Sequence, residues 1–356
     1  MTMPDATVEY SAVAPKEPIG IGLIGLGYWG PNHLRVVSES PRTEIKAICD
    51  TDPDRLELMD GRTDAVAFAN PEELLELSEV DAVIVATPVG THFALGTAAL
   101  EAGKHVLIEK PLAPTVGEAD HLISLAKSKG LSVMCGHTFL FSPPVIEVKR
   151  MIDEGELGEI YFITSSRVNL GLHQKDVSVL WDLAPHDFSI LGYWLGERPE
   201  SLSANGRDSI LQGVPDVAFV NLNYESGLIA SVELSWLAPS KLRRTTIVGS
   251  EKMVVYEDNS PDQLRVFDKG ISVEPPESFG EFHLSYRSGG IYTPKLSVAE
   301  PMATQLDAFV NSITTDERHP EHIGLARDVV AMIETAESSL DADGARMSVA
   351  THANFA

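Results

Sequence analysis

Near the start of the chain an apolar run, 19–26, passes directly into Gly25-Leu26-Gly27-Tyr28-Trp29-Gly30, and a helical pattern follows. This G-x-G-x-x-G at a strand-to-helix junction constrains the fold more tightly than any other feature. Gly25 permits a tight turn, and Gly27 lets the backbone approach a pyrophosphate closely. Gly30 lets the helix pack against the strand, while the helix N-terminus offers N–H groups to an anion. Alone the hexapeptide is weak, because any glycine-rich turn can produce it. Here a second apolar run, 44–49, ends at Asp50, twenty positions beyond Gly30. An acid in that place accepts hydrogen bonds from a ribose, which makes the pattern specific for a dinucleotide.

The surrounding sequence agrees. Strand-like runs at 19–26, 44–49, 82–86, 105–108 and 132–135 alternate with helical stretches at 32–40, 71–77, 91–102 and 116–129. Gly103 and Gly130 follow two of those stretches as helix stops. Nearly continuous apolar strands between helices predict a parallel sheet covered on both faces. Beyond about residue 150 the pattern changes. Strands at 158–168, 217–224, 228–237, 242–248 and 253–256 follow one another, the pair around Glu225-Ser226-Gly227 reading as a hairpin. A helix is expected at 184–195, and two more at 302–313 and 325–340. The stretch 274–295 is long enough to be a functional loop. The expected organisation is therefore α/β: a loose arm at 1–18, a Rossmann domain at 19–140, an α/β domain with a large, mostly antiparallel sheet at 141–340, and a tail at 341–356.

Charge narrows the function classes. The chain carries 27 Lys and Arg against 52 Asp and Glu, a formal charge of −25. Nucleic acid and anionic membrane surfaces demand the opposite sign. No apolar run reaches the roughly 18 residues of a membrane span. The first residues have neither the basic start nor the apolar core of a signal peptide, so the cytoplasm is the expected location. Cys49 and Cys135 lie in apolar runs and read as buried thiols. His173 and Asp176 lack a third ligand at suitable spacing, so no metal site is expected. After Asp50 come Thr51 and Asp52, with no basic residue before Arg55. A 2′-phosphate would be repelled there, so NAD is expected over NADP, with Arg55 the residue that could reverse the preference.

The chain resembles the glucose–fructose oxidoreductase / inositol dehydrogenase / MocA family. The resemblance rests on the GLGYWG loop, Ala86-Thr87-Pro88 with His92, Glu109-Lys110-Pro111, and Asp182-x-x-x-His186, in the family's order. It extends over nearly all of 19–340. It implies a Rossmann domain followed by a second α/β domain, and homodimers or homotetramers that associate through the second sheet. GHTFLFSPPV at 136–145, SSRVNLG at 165–171 and LWDLAPHDFSILGYWLG at 180–196 are similar to a narrower branch of nucleotide-sugar dehydrogenases and ketoreductases acting at C3 of the sugar.

Within that resemblance the residues take roles. Removing hydride from a carbinol requires that the O–H proton leave and that charge on oxygen be stabilised. Lys110 follows the strand 105–108, at the end where open α/β sheets bind ligands. It suits a hydrogen bond to the reacting oxygen, although a lysine paired with Glu109 on the surface would look the same. Asp182 and His186 are four apart and share a helix face, with Pro185 taken as a first-turn proline and Asp182 as lying near the N-cap. A carboxylate beside an imidazole makes a tuned acid and base. Asp182 could instead be only a cap, and His186 a core histidine. Gly25, Gly27, Tyr28, Trp29, Gly30, Asp50, Thr87, Pro88, His92, Glu109, Lys110 and Trp181 are the expected cofactor contacts. Trp181 fits core packing equally well, and His92 could instead serve its helix end. Lys110, Arg167, Asn169, Asp182 and His186 are the expected substrate contacts, Arg167 being suited to a diphosphate. His137 is a candidate lining residue without a catalytic role. Three readings of function result: oxidoreduction at C3 of a UDP- or dTDP-sugar, the same chemistry on a free sugar, sugar phosphate or cyclitol, or a catalytically silent relative that senses dinucleotide.

Overall fold

A computed structural model describes residues 17–171, 173, 177–274, 283–315 and 320–350. It divides into two compact units. One runs to Phe141 and takes in Ala299–Arg327; the other holds Ser142–Val298 and the chain from Asp328 onward.

The first unit alternates strand and helix: β1 Ile19–Ile24, α1 Gly30–Glu39, β2 Thr43–Cys49, α2 Pro53–Glu57, β3 Val66–Phe68, α3 Pro71–Leu75, β4 Ala82–Val85, α4 His92–Glu101, β5 His105–Glu109, α5 Val116–Lys129 and β6 Val133–Gly136. The six strands are parallel, in the order β3-β2-β1-β4-β5-β6. All four residues of β4 are buried, as a strand covered on both faces requires. The order reverses between β1 and β4, which opens a crevice at the carboxyl ends of the strands. α5 shows how local sequence sets its ends. Thr115 Oγ1 accepts the Glu118 N–H at 3.2 Å, and Gly130 closes the helix at φ +67°. α2 and β3 left no sequence signal: α2 buries no residue, and β3 is three residues long at the sheet edge.

The second unit contains α6 Pro143–Asp153, β7 Ile160–Leu170, α7 Val179–Leu195, β8 Ser201–Arg207, β9 Val217–Asn223, β10 Ile229–Ser235, β11 Leu237–Gly249, β12 Met253–Glu257, β13 Leu264–Glu274 and β14 His283–Tyr292. The chain then forms α8 Pro301–Thr314 in the first unit, α9 Pro320–Asp341, and β15 Met347–Ser348. Nine strands lie in the order β14-β13-β12-β11-β7-β10-β9-β8-β15, antiparallel except for the β7–β10 pair. Alternation along β9 and β10 buries Ala218, Val220, Leu222, Ala230, Val232 and Leu234 on one face. Trp194 of α7 is also buried, its indole N–H donating to the Val145 carbonyl at 2.9 Å.

Three local expectations change. Helix α7 starts at Val179, with Ser178 in the N-cap position but making no side-chain cap bond, and not at 184. The described part of 274–295 is chiefly strand: β13 and β14 pair from Val266↔Tyr292 to Glu274↔His283, while 275–282 lie outside the described residues. The expected tail includes β15, which pairs with Ser201 and Leu202. The arm at 1–16 and Asp176 also lie outside the described residues. Among those described, no helix is long and apolar enough to cross a membrane, and no cluster of side chains could hold a metal.

Candidate active site

In the first unit the glycine loop joins β1 to α1 at the switch point. Gly25 adopts φ +98°, and a Cβ there would lie 2.4 Å from the Ala86 carbonyl oxygen. A Cβ on Gly30 would lie 2.4 Å from the Gly25 carbonyl oxygen. Those two glycines are needed for packing. Gly27 differs: the nearest atom to its added Cβ is Arg55 Nη1, at 3.7 Å. Backbone open on that side, beside the start of a ten-residue helix, is a cradle that fits a pyrophosphate.

Asp50 organises the same loop. Its Oδ2 accepts the Leu26 N–H at 2.7 Å and its Oδ1 accepts the Asp52 N–H at 2.9 Å. Arg55 Nη1 lies 3.4 Å from Oδ2. Each carboxylate oxygen can accept more than one hydrogen bond, so capacity for ribose hydroxyls remains. Tyr28 is 83% exposed, and its ring meets the half-exposed Trp29 edge-on, with centroids 5.2 Å apart. Thr87 and Pro88 follow β4 on the other side of the switch point.

His92 and Glu109, both expected cofactor contacts, each bond other parts of the fold. The His92 ring is buried, with Nδ1 2.8 Å from the Pro111 carbonyl oxygen and Nε2 2.8 Å from that of Thr87. Burial pushes its pKa below the ordinary value, and a neutral ring carries one N–H, so it donates to one carbonyl at a time. Glu109 is 6% exposed. Its Oε1 meets His33 Nε2 at 2.8 Å, and its Oε2 accepts the Lys110 N–H at 3.2 Å. Burial alone would raise this carboxyl. The His33 hydrogen bond and charge, with Lys110 beside it, hold it below its usual range. The next residue, Lys110, is half-buried at the carboxyl end of β5.

β6 pairs with β5 through Glu109↔Gly136, which brings His137 beside Lys110. His137 is 2% exposed and neither ring nitrogen has a hydrogen-bond partner. Burial pushes its pKa down to about 3, so the ring is neutral near pH 7. Both nitrogens are shut away from solvent, so His137 is part of the support under the site. Cys135, buried alongside, has its thiol pKa raised by burial and then by Glu109.

In the second unit α7 carries Trp181, Asp182 and His186, all half-buried. Asp182 is the helix's fourth residue, not its cap, and Pro185 its seventh. Proline there has no N–H to give the Trp181 carbonyl. Asp182 and His186 remain one turn apart on one face. Asp182 Oδ2 accepts the Trp236 indole N–H at 3.0 Å. Trp236 also crowds Gly171, where an added Cβ would meet its ring at 3.0 Å and the Asn169 side chain at 3.1 Å. Asn169, Asp182 and Trp236 therefore gather at the ends of β7 and β10. The His173 ring lies 5.4 Å from that of Trp236, with Nε2 4.0 Å from Asp216 Oδ2.

Arg167 is the clearest departure from expectation. Alternation along β7 turns it to the buried face, where its Nε donates to Asp187 Oδ2. Ser165 Oγ donates to the other Asp187 oxygen at 2.7 Å. Arg167 thus fastens α7 to the sheet next to His186, and one edge of its guanidinium is already taken. His33, Asp187, Asp216 and Trp236 had escaped the sequence. Their partners lie 76, 20, 43 and 54 positions away, and no spacing rule reaches that far.

The family model described as an oxidoreductase family with an NAD-binding Rossmann fold matches residues 19–137. A GFO/IDH/MocA C-terminal domain matches 145–255. The scyllo-inositol 2-dehydrogenase (NAD(+)) of Bacillus subtilis strain 168 is 29% identical over 329 residues, 83% of this chain and 92% of its own. The UDP-N-acetylglucosamine 3-dehydrogenase of Acidithiobacillus ferrooxidans is 26% identical over 255 residues, 71% of this chain and 78% of its own. The crystal structure of GenD2 from gentamicin A biosynthesis, in complex with NAD, superposes with a TM-score of 0.79 at 22% identity. It covers 94% of this chain and 97% of that one, a likeness of fold.

Proposed function

The chain belongs to the Gfo/Idh/MocA oxidoreductase family, and we propose that it moves a hydride between NAD and a secondary hydroxyl or ketone of a sugar or cyclitol. The observation that carries this reading is Lys110, held at the carboxyl end of β5 in the sheet that bears the open glycine cradle. When bound, the nicotinamide supplies the hydride chemistry. The Gly25–Gly30 loop and the start of α1 hold the pyrophosphate, Asp50 the adenosine ribose, and Thr87 and Pro88 line the crevice. Lys110 hydrogen-bonds the reacting oxygen and stabilises its charge. His186 takes the hydroxyl proton in oxidation and returns it in reduction. Asp182, fixed by Trp236, orients the imidazole or the substrate, and Asn169 meets substrate hydroxyls. NAD is preferred over NADP because Asp50 and Asp52 would repel a 2′-phosphate.

Within this reading the substrate is a nucleotide-linked sugar oxidised or reduced at C3. The stretches 136–145 and 180–196 support it, as does likeness to a UDP-N-acetylglucosamine 3-dehydrogenase. A second reading, a cyclitol, is favoured by the longer match to a scyllo-inositol dehydrogenase and by the engagement of Arg167 with Asp187. A panel of UDP- and dTDP-sugars against inositols, followed by NADH absorbance, separates them. Turnover of the nucleotide sugars alone supports the first reading, and of inositols alone the second. Absence of turnover throughout would favour a dinucleotide sensor.

The open face of the second sheet supports a homodimer or homotetramer. Register places Ile229, Phe162, Val248, Met253, Phe267 and Ile291 in one row across five neighbouring strand pairs. Ile229, Phe162 and Ile291 are among its exposed members. A contiguous apolar band of this kind marks an interaction surface. A cytoplasmic location fits the two free thiols.

A further inference from the structure

Lys110 is bracketed by two buried histidines. On its N-terminal side Glu109 joins His33 through Oε1 and the Lys110 N–H through Oε2. On its C-terminal side the Pro111 carbonyl meets His92 Nδ1 at 2.8 Å. His33 lies in the first turn of α1, directly after the glycine cradle, and His92 opens α4, one 3-10 turn (Val89–Thr91) after Thr87 and Pro88. The other His92 nitrogen lies 2.8 Å from the Thr87 carbonyl oxygen, and the neutral ring bonds whichever of the two carbonyls faces its single N–H. Thus each of the two loops flanking the switch point is tied through one imidazole to a residue adjoining Lys110. Glu109 has little room to do otherwise. A Cβ on Gly136 would already lie 3.1 Å from its Oε2 and from its Cα. Both carboxylate oxygens have partners inside the fold, and the group is ionised.

We propose that His33, Glu109 and His92 are positioning residues that clamp Lys110 from both sides, and that Glu109 and His92 do not themselves bind the dinucleotide. The clamp rests on the reading that Lys110 acts at the reacting oxygen. It sets the lysine's position relative to the two cofactor loops, so its loss costs turnover and spares dinucleotide binding. A displacement of about 1 Å at a reacting group can cost on the order of 100-fold in rate.

The test compares His33→Leu, His33→Gln, His92→Leu, Glu109→Gln, Lys110→Ala and Asp50→Ala in the full chain. NADH affinity is read by fluorescence titration, thermal midpoint by calorimetry, and kcat and KM with whichever panel sugar or inositol the unaltered chain oxidises. The clamp predicts that His33→Leu, His92→Leu and Glu109→Gln lower kcat by about 10- to 100-fold. NADH affinity stays within about threefold, a change of under 1 kcal/mol. His33→Gln, which keeps a donor toward Glu109, recovers most of the turnover. Weaker NADH binding by Glu109→Gln or His92→Leu, comparable to that of Asp50→Ala, would make those residues cofactor ligands and overturn the proposal. A lower thermal midpoint with kcat unchanged would make the pairs merely structural, also overturning it. If Lys110→Ala keeps full turnover, the functional reading itself falls. If Lys110→Ala is inactive while the leucine variants stay active, only the clamp falls. An unaltered chain that oxidises nothing in the panel removes both.

Discussion

Asp182 on α7 accepts the Trp236 indole N–H at 3.0 Å, tying the helix that carries His186 to the junction of β10 and β11. Trp236 is buried, so the donor end of this part-buried bond is fixed in the fold. Trp236→Phe keeps the aromatic packing and removes the donor. Steady-state kinetics should show kcat lowered about tenfold, equivalent to about 1.4 kcal/mol, with KM for NAD unchanged. Equal kcat would mean that the orientation of Asp182 does not matter to the reaction.

In the proposed reading, Asp50 sets the cofactor preference. Asp50→Ala removes both the acceptor for the ribose and the repulsion of a 2′-phosphate, while leaving Arg55 in place. Titration with NADH and NADPH should show NADH weakened about tenfold or more and the preference moved toward NADPH by a similar factor. An unaltered chain that already prefers NADPH would contradict the assignment of NAD.

His137 gives stability a pH dependence. Its pKa is lowered to about 3 by burial, below the ordinary value of about 6.5 that it has when unfolded. The unfolded state therefore binds the extra proton, and stability falls as pH drops from about 6.5 toward about 3. The slope is about 1.4 kcal/mol per pH unit, hence a loss of about 2 kcal/mol at pH 5. His92, lowered in the same direction, adds to it. Urea unfolding at pH 7.5 and pH 5 checks this. His137→Phe should flatten the slope by about one proton, and an undiminished slope would show that the buried ring is not its source.

The apolar row on the open sheet face makes a separate prediction. Phe162→Lys places a charge within it, beside Ile229, without touching the buried face of β7. Analytical ultracentrifugation should find the unaltered chain as a dimer or tetramer and the variant dissociated. A monomeric parent would remove this surface as an interface.

Legibility in the sequence followed the range of the interaction. The glycine loop was readable because φ at Gly25 and close approach at Gly30 are local demands that only glycine meets. Short apolar runs bounded by turn residues made most strands readable for the same reason. The start of α7 was misread because Asp182 and Pro185 look like first-turn residues, whereas Ser178 begins the helix without a side-chain cap. Arg167 looked like a ligand contact because its partner Asp187 sits on another element, 20 positions on. Residues 274–295 looked like a loop because their Gly, Ser and Pro content hides the pairing of β13 with β14. The bracketing of Lys110 by His33 and His92 had no signal at all, since it exists only once α1, α4 and β5 are packed together.

The central claim is hydride transfer at a sugar or cyclitol carbon with Lys110 at the reacting oxygen. The most direct measurement is NADH formation by the unaltered chain and by Lys110→Ala across UDP-sugars, dTDP-sugars and inositols, with NADH binding measured on both. The account predicts turnover of at least one member by the unaltered chain, and a loss of about 1,000-fold or more in Lys110→Ala with NADH still bound. Equal turnover by the two proteins, or none by either with NADH bound to both, would contradict it.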